Sequence, residues 1–300
     1  RIVVTFTTLP DRYESLQKSI QSILRQSLSV DAIYVAIPRR CKRLNKEYPP
    51  VPKDVTDICT IITPDKDYGP ITKIYGGLMA ETDPNTIIIS CDDDTQYHPD
   101  FVKILVNHSQ KHPDVCICGT GALLSRGLYF ISINTTLENF RWWNWLIGFD
   151  IDKDNGRNVD LIFGVAGVLY RRKFFPSNDK INQELFNLSI NNDALFHNDD
   201  VVISGYLSKH NIKRKVFHDI PSVIPKSCKG PNCDALSADF LLNIRRLQDA
   251  ISYAKTQGLF TTMEPLSLEE TIPGRIILLL GLFIILIIFI IIMYKYDKIF

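Results

Sequence analysis

Short apolar runs alternate with amphipathic helical stretches through the first two fifths of the chain, and few folds accept that order. Ile2 to Phe6 reads as a buried strand. Asp11 stands where a helix cap belongs, with Glu14 as its capping-box partner. Tyr13, Leu16, Ile20, Ile23 and Leu24 then recur on one helical face. Ala32 to Ile37 and Ile58 to Ile62 read as further strands, separated by a proline-rich loop over 38–57. Ile71 to Ala80 suits a helix. Thr86 to Ser90 is apolar on both faces, as a strand in the middle of a parallel sheet must be. Phe101 to His108 reads as a helix capped by Asp100, and Val115 to Cys118 as another strand. Repeated strand–helix units predict an α/β fold with an open, mostly parallel sheet flanked by helices. Ligands bind such sheets beyond the carboxyl ends of the strands.

The second half is less regular. Residues 128–133 and 161–170 read as strands, Asp200 to Lys209 as a helix, and Arg214 to Phe217 as a short strand. Leu236, Phe240, Ile244, Leu247 and Ile251 mark an amphipathic helix. From Ile276 to Met293 every residue is apolar or glycine. At about 1.5 Å per residue that run reaches roughly the thickness of a bilayer's hydrocarbon layer. Arg275 precedes it, Lys295 and Lys298 follow it, and Tyr294 and Tyr296 suit the headgroup boundary. The expectation is a single C-terminal transmembrane helix over 273–294. Basic residues flank both ends, so charge does not set its orientation. The resulting division is an α/β domain over 1–220, with halves 1–120 and 121–220, an amphipathic helix and linker over 221–272, the anchor, and a short tail over 295–300.

Lys and Arg together number 34 and Asp and Glu 33, a net charge of +1 that argues against nucleic acid as a partner. The seven cysteines are too scattered for a disulfide scaffold, although Cys228 and Cys233 bracket a turn and suit a bridge in an oxidising compartment.

The chemistry concentrates where Ile87 to Cys91 ends in Asp92-Asp93-Asp94. Three carboxylates at the end of a buried strand repel one another unless a cation or hydrogen-bond donors compensate. Hard divalent ions such as Mg²⁺ and Mn²⁺ take oxygen ligands and share them with phosphates.

This triplet resembles the Asp-x-Asp motif of nucleotide-sugar-dependent glycosyltransferases of the GT-A fold, and the chain is similar to their family 2 group. Thr5-Phe6-Thr7-Thr8-Leu9-Pro10-Asp11-Arg12 resembles that family's first strand and nucleotide-holding loop. Tyr68-Gly69-Pro70-Ile71-Thr72-Lys73 resembles the segment before the Asp motif, and Phe163 to Arg171 the glycine-containing stretch on the acceptor side. His197-Asn198-Asp199-Asp200-Val201 resembles the acidic motif that carries the catalytic base of inverting members. The pieces fall in the family's order over residues 1–220. The Gln-x-x-Arg-Trp motif of processive synthases is missing, and Arg141-Trp142-Trp143 lies before the acidic motif rather than after it.

The resemblance implies roles. Thr7, Thr8, Arg12, Lys73, Asp92 and Asp93 bind the nucleotide-sugar donor. Asp92 and Asp94, with His218 as a late ligand, hold a divalent cation, Mn²⁺ or Mg²⁺, that neutralises the departing diphosphate. Asp200, or else Asp199, takes the proton of an acceptor hydroxyl on a glycan, lipid or protein. Trp142, Trp143 and Trp145 offer faces for sugar rings or a membrane surface. Three rivals have features against them. A haloacid-dehalogenase-like phosphatase carries its Asp motif on the first strand and asks for Thr or Val where Gln96 stands. A sugar-phosphate nucleotidyltransferase needs glycines where Thr7-Thr8-Leu9-Pro10 stands. A silent nucleotide-sugar-binding membrane scaffold has no need of an intact triplet and acidic pair.

Overall fold

The computed structural model describes residues 1–124, 154–176, 178–221 and 240–261. The expected strand at 128–133, the tryptophan cluster, Cys228 and Cys233, and the apolar run Ile276 to Met293 lie outside the described residues. Among the described residues no helix is long and apolar enough to cross a membrane.

The elements in chain order are β1 (Ile2–Thr7), α1 (Tyr13–Leu24), β2 (Ala32–Ala36), β3 (Arg40–Cys41), β4 (Lys46–Glu47), α2 (Lys53–Thr56), β5 (Thr60–Ile62), α3 (Thr72–Ala80), β6 (Ile87–Ser90), α4 (Phe101–Lys111), β7 (Val115–Cys118) and β8 (Gly121–Ala122). There follow β9 (Arg157–Asn158), β10 (Leu161–Ile162), β11 (Val168–Arg171), α5 (Asn178–Ile181), α6 (Asn187–Ile190), α7 (Asp193–Phe196), α8 (Asp199–Lys209), β12 (Lys213–Val216) and α9 (Phe240–Thr256). Eight strands form one sheet in the order β5-β2-β1-β6-β11-β7-β12-β9. β5, β2, β1 and β6 run parallel. β11 enters antiparallel between β6 and β7, and β12 pairs parallel with β7. The carboxyl ends of β1, β2, β5, β6, β7 and β12 therefore share one edge.

Side-chain alternation along β1 explains the layers. Val4 and Phe6 face Leu16, Ile20, Phe101 and Leu105 of α1 and α4, whereas Val3 joins Ile74, Leu78 and Val202 of α3 and α8. α3 comes unusually close to the sheet. A Cβ on Gly77 would stand 2.8 Å from Ile88 Cγ2, and one on Gly76 would stand 2.9 Å from Tyr34 Cβ. Thr5 Oγ1 donates to the Lys73 carbonyl at 2.6 Å, tying the start of α3 to the central strands.

Several local expectations are corrected. α1 begins at Tyr13 with Arg12 as its cap residue and no side-chain cap. Asp11 pairs instead with Lys46, so the capping box does not form. Leu24, expected on the apolar face, is exposed. The loop 38–57 contains the β3–β4 hairpin and α2. The single strand expected over 161–170 is broken by a 3₁₀ turn at Gly164–Ala166. α9 packs into the same core as α3 and α8 through Leu247, Ala250, Ile251 and Ala254, and the chain beyond it lays Leu259 against Gly205 of α8.

Candidate active site

The Asp triplet leaves the end of β6 and is held from below by α1. Ser19 Oγ donates to the Asp93 carbonyl at 2.9 Å, and Ser22 Oγ accepts from the Tyr97 backbone N–H at 3.0 Å. Tyr97 is buried against Phe101, and its hydroxyl accepts from the Asp92 N–H at 2.7 Å. With their backbone fixed, the three carboxylates fan out to different partners. Asp92 Oδ1 lies 2.6 Å from Lys73 Nζ. Asp93 accepts from Thr8 Oγ1 at 2.5 Å and from Arg12 at 3.3 Å. Asp94 meets Arg12 at 3.3 Å and keeps a side chain that is 32% exposed.

Lys73 joins this cluster to the second acidic motif. Its Nζ lies 3.0 Å from Asp199 Oδ2, at the first residue of α8. Burial alone would drive the ammonium to give up its proton. The carboxylates of Asp199, Asp92 and Asp200 outweigh that and hold it charged well above the ordinary lysine value. The neighbouring Asp200 Oδ1 accepts from the Gly164 N–H at 2.9 Å. The absence of a side chain at Gly164 makes this convergence fit. A Cβ there would stand 3.2 Å from Lys73 Nζ and 3.3 Å from Asp200 Oδ1.

Desolvation sets the electrostatics. Burial raises the Asp92 carboxyl, with Lys73 pulling the other way. Burial pushes Asp93 up to about 6 despite Arg12 and Thr8. Asp200 is raised well above the ordinary carboxylate range by burial first and by the neighbouring Asp199 second. Five carboxylates (Asp92, Asp93, Asp94, Asp199 and Asp200) face two cations, Lys73 and Arg12. Such an excess of hard oxygen donors is the chemistry a divalent cation takes, but the carboxylates turn to Lys73, Arg12, Thr8 and Gly164 and, among the described residues, are not grouped to hold one.

The expected residues do not all converge. Thr8, Arg12, Asp93 and Asp94 form one cluster and Lys73, Asp92 and Asp199 a second, joined through the backbone of the triplet, and Asp200 adjoins the second while bonded to the Gly164 N–H. The Thr7 hydroxyl donates instead to the Ala36 carbonyl at 2.8 Å, stitching β1 to β2. His218 follows β12 on the same sheet edge, but three strand spacings from β6, about 14 Å at the usual interval. Its Nδ1 is buried without a hydrogen-bond partner, yet among the described residues no three His, Cys, Asp or Glu side chains are grouped to hold a metal ion. Ser19, Ser22 and Tyr97 are support residues that sequence reasoning passed over. Two serines one turn apart on the buried face of α1 were the available signal.

An open α/β sheet with an Asp triplet at the end of a central strand, accompanied by a second acidic pair, is the arrangement of a GT-A-fold glycosyltransferase. The family model described as "Glycosyl transferase family 2" matches residues 2–177, more than half of the sequence, and the chain belongs to that family. Its fold is similar to that of S. aureus TarS in the crystal structure of residues 1–349. That match has 12% identity and a TM-score of 0.48, and it covers 89% of this chain and 76% of that one. The structure of the same TarS segment in complex with UDP matches at 10% identity and a TM-score of 0.42, over 74% of this chain and 59% of that one. No curated protein matches the chain in sequence. Family membership sets aside the phosphatase and nucleotidyltransferase readings.

Proposed function

We propose that the chain is a membrane-anchored, metal-dependent, inverting glycosyltransferase with Asp200 as its catalytic base. The observation that carries this reading is the convergence of the acidic pair and the Asp triplet on Lys73. It supports assigning a candidate base and the diphosphate end of a donor to neighbouring parts of one site.

The acceptor hydroxyl attacks the anomeric carbon as the bond from that carbon to the diphosphate oxygen breaks. The electron pair leaves with the diphosphate, and the hydroxyl proton passes to an Asp200 oxygen. A single displacement of this kind inverts the configuration. A carboxylate whose proton affinity is raised by burial is a stronger base than one in water, and the Gly164 N–H fixes its direction. Asp199 stays paired with Lys73 and orients the start of α8. Arg12 and Thr8 hold Asp93 and shape the wall beside the leaving group. Asp92 and Asp94 would hold a divalent cation, Mn²⁺ or Mg²⁺, whose charge compensates the departing diphosphate. The apolar run Ile276 to Met293 supplies the membrane anchor, as its length and flanking residues suggest.

The test is Asp200→Asn assayed against a panel of nucleotide-sugars with Mn²⁺. Donor binding by calorimetry should persist while transfer is lost, and the wild-type product should carry inverted anomeric configuration by NMR. Retained transfer by the variant removes Asp200 from the chemistry.

A further inference from the structure

The donor set at the triplet and its pairing point in different directions. Asp92 and Asp94 are the carboxylates a hard cation would take, yet each already meets a cation of the chain, Lys73 at 2.6 Å and Arg12 at 3.3 Å. The two contacts differ in kind. Arg12 divides its charge between Asp93 and Asp94, both at 3.3 Å, and the Asp94 side chain is open enough for water to compete. Lys73 is buried, and its contact with Asp92 is the shorter one.

The surroundings fix everything at this contact except the lysine side chain. The Asp92 N–H is held by the Tyr97 hydroxyl, and the Lys73 carbonyl by Thr5 Oγ1. The ammonium also lies 3.0 Å from Asp199 Oδ2, but that oxygen is buried without a hydrogen bond, so the attraction there is coulombic and undirected. A lysine ammonium is a compact charge on a flexible four-carbon stem, and it can pivot where an arginine fork would be locked.

A divalent ion on Asp92 would stand close beside this ammonium, and like charges repel strongly in a desolvated site. Ion and ammonium therefore compete for one carboxylate. Loss of the lysine proton does not resolve the conflict, because Asp199, Asp92 and Asp200 together hold Lys73 charged well above its ordinary value. The conflict is resolved when the ammonium gains another anion. The diphosphate of a nucleotide-sugar brings one to the same place, since it shares the coordination of the metal.

We propose that Lys73 is a tethered rival of the divalent cation, which keeps Asp92 from the ion until a diphosphate gives the ammonium a new partner, so that metal and donor load together. This rests on the metal-dependent reading above and adds to it the order in which the site fills.

Mn²⁺ binding to the full chain, followed by loss of the free-ion signal in electron paramagnetic resonance, tests this without turnover. With no nucleotide present, Lys73→Met should bind Mn²⁺ about tenfold or more tightly than wild type, and Lys73→Met/Asp92→Asn should lose that gain. Lys73→Arg, which keeps the charge, should bind no more tightly than wild type. A panel of UDP, GDP, ADP, CDP and dTDP, after allowance for the ion each binds in solution, should include a member that strengthens Mn²⁺ binding to wild type, and by a smaller factor in Lys73→Met. An Mn²⁺ affinity of wild type unchanged across the panel overturns the proposal. Circular dichroism at the titration temperature checks that each variant is native. Should Lys73→Met not fold, wild type and Lys73→Arg carry the test, and tighter binding by Lys73→Arg overturns the proposal. Measurable and equal Mn²⁺ affinity in wild type and folded Lys73→Met also overturns it, and leaves the metal reading standing. No Mn²⁺ binding by any of these proteins, even with the nucleoside diphosphates, overturns the metal reading and the proposal together.

Discussion

Lys73 Nζ lies 2.6 Å from Asp92 Oδ1, and this contact makes one site of two acidic motifs that sit in opposite halves of the chain. The same ammonium holds Asp199 at 3.0 Å. Replacing it with an uncharged chain of similar length strands buried carboxylates without a counter-charge. Lys73→Met should therefore destabilise the fold by about 3 kcal/mol. The loss should shrink on acidification, because the Asp92 and Asp200 carboxyls, both raised by burial, then take up protons and shed their repulsion. Urea unfolding at pH 5 and pH 8 measures both, and an unchanged midpoint at pH 8 would show that the pair contributes nothing.

Gly164 separates catalytic geometry from stability. An alanine Cβ there meets Lys73 Nζ at 3.2 Å and Asp200 Oδ1 at 3.3 Å, close enough to push both by a few tenths of an ångström. Neither atom is backbone, so the fold can yield at small cost. Gly164→Ala should lower kcat by roughly tenfold or more, as misplaced reacting groups do, with a stability change under about 1 kcal/mol. A kcat equal to wild type would mean that the cradle has slack for the extra methyl.

The raised carboxyl of Asp93 has a pH signature. Its folded value of about 6 lies above that of an unfolded aspartate near 3.9. Between those values the unfolded chain ionises while the folded one keeps its proton, so stability falls as pH rises through the window. The penalty is absent at low pH and complete above about 6. Asp93→Asn keeps an acceptor oxygen for Thr8 and Arg12 but cannot ionise. Its stability relative to wild type should improve by about 2 kcal/mol between pH 4.5 and 7.5. A relative stability that declines over that range would mean that Arg12 outweighs burial.

Sequence patterning reached the strands that are buried on both faces. β1, β2, β6 and β7 are mostly apolar and almost continuously buried, because a central strand of such a sheet meets a helix layer on each side. The triplet was legible for a related reason, since charge directly after such a run has no place in a core, whereas the acidic pair, preceded by His197 and Asn198, was legible only through its resemblance to the family's acidic motif. Pairing across the chain was not. Nothing local places β11 between β6 and β7, and the glycines that break 161–170 matter only because Gly167 must turn at φ 73 with the Phe101 ring beside it. Asp11 was misread because capping and ion pairing use the same carboxylate, and the competing Lys46 comes from a distant hairpin. The Lys73 bridge was hidden likewise. A lysine in the first turn of a helix reads as a solvated charge until the elements facing it are known.

Gly69 couples the loop before α3 to the acidic pair. It sits at φ 77, where an L side chain costs about 1–2 kcal/mol, and a Cβ there would stand 2.3 Å from the Phe196 carbonyl oxygen. That oxygen belongs to backbone and cannot swing aside, so the clash must move α7 or the loop. Gly69→Ala should cost more than about 2 kcal/mol of stability. A second effect follows from connectivity. Phe196 is joined through His197 and Asn198 to Asp199, so displacing it shifts the start of α8 and draws the acidic pair away from Lys73. Activity per folded molecule should then fall several-fold even at a temperature where the variant remains native by circular dichroism. Gly164→Ala, which perturbs the same carboxylate from the opposite side, should add little when the two changes are combined, because both act through one displaced group. Full activity in the folded Gly69→Ala protein would show that the loop and the acidic pair move independently.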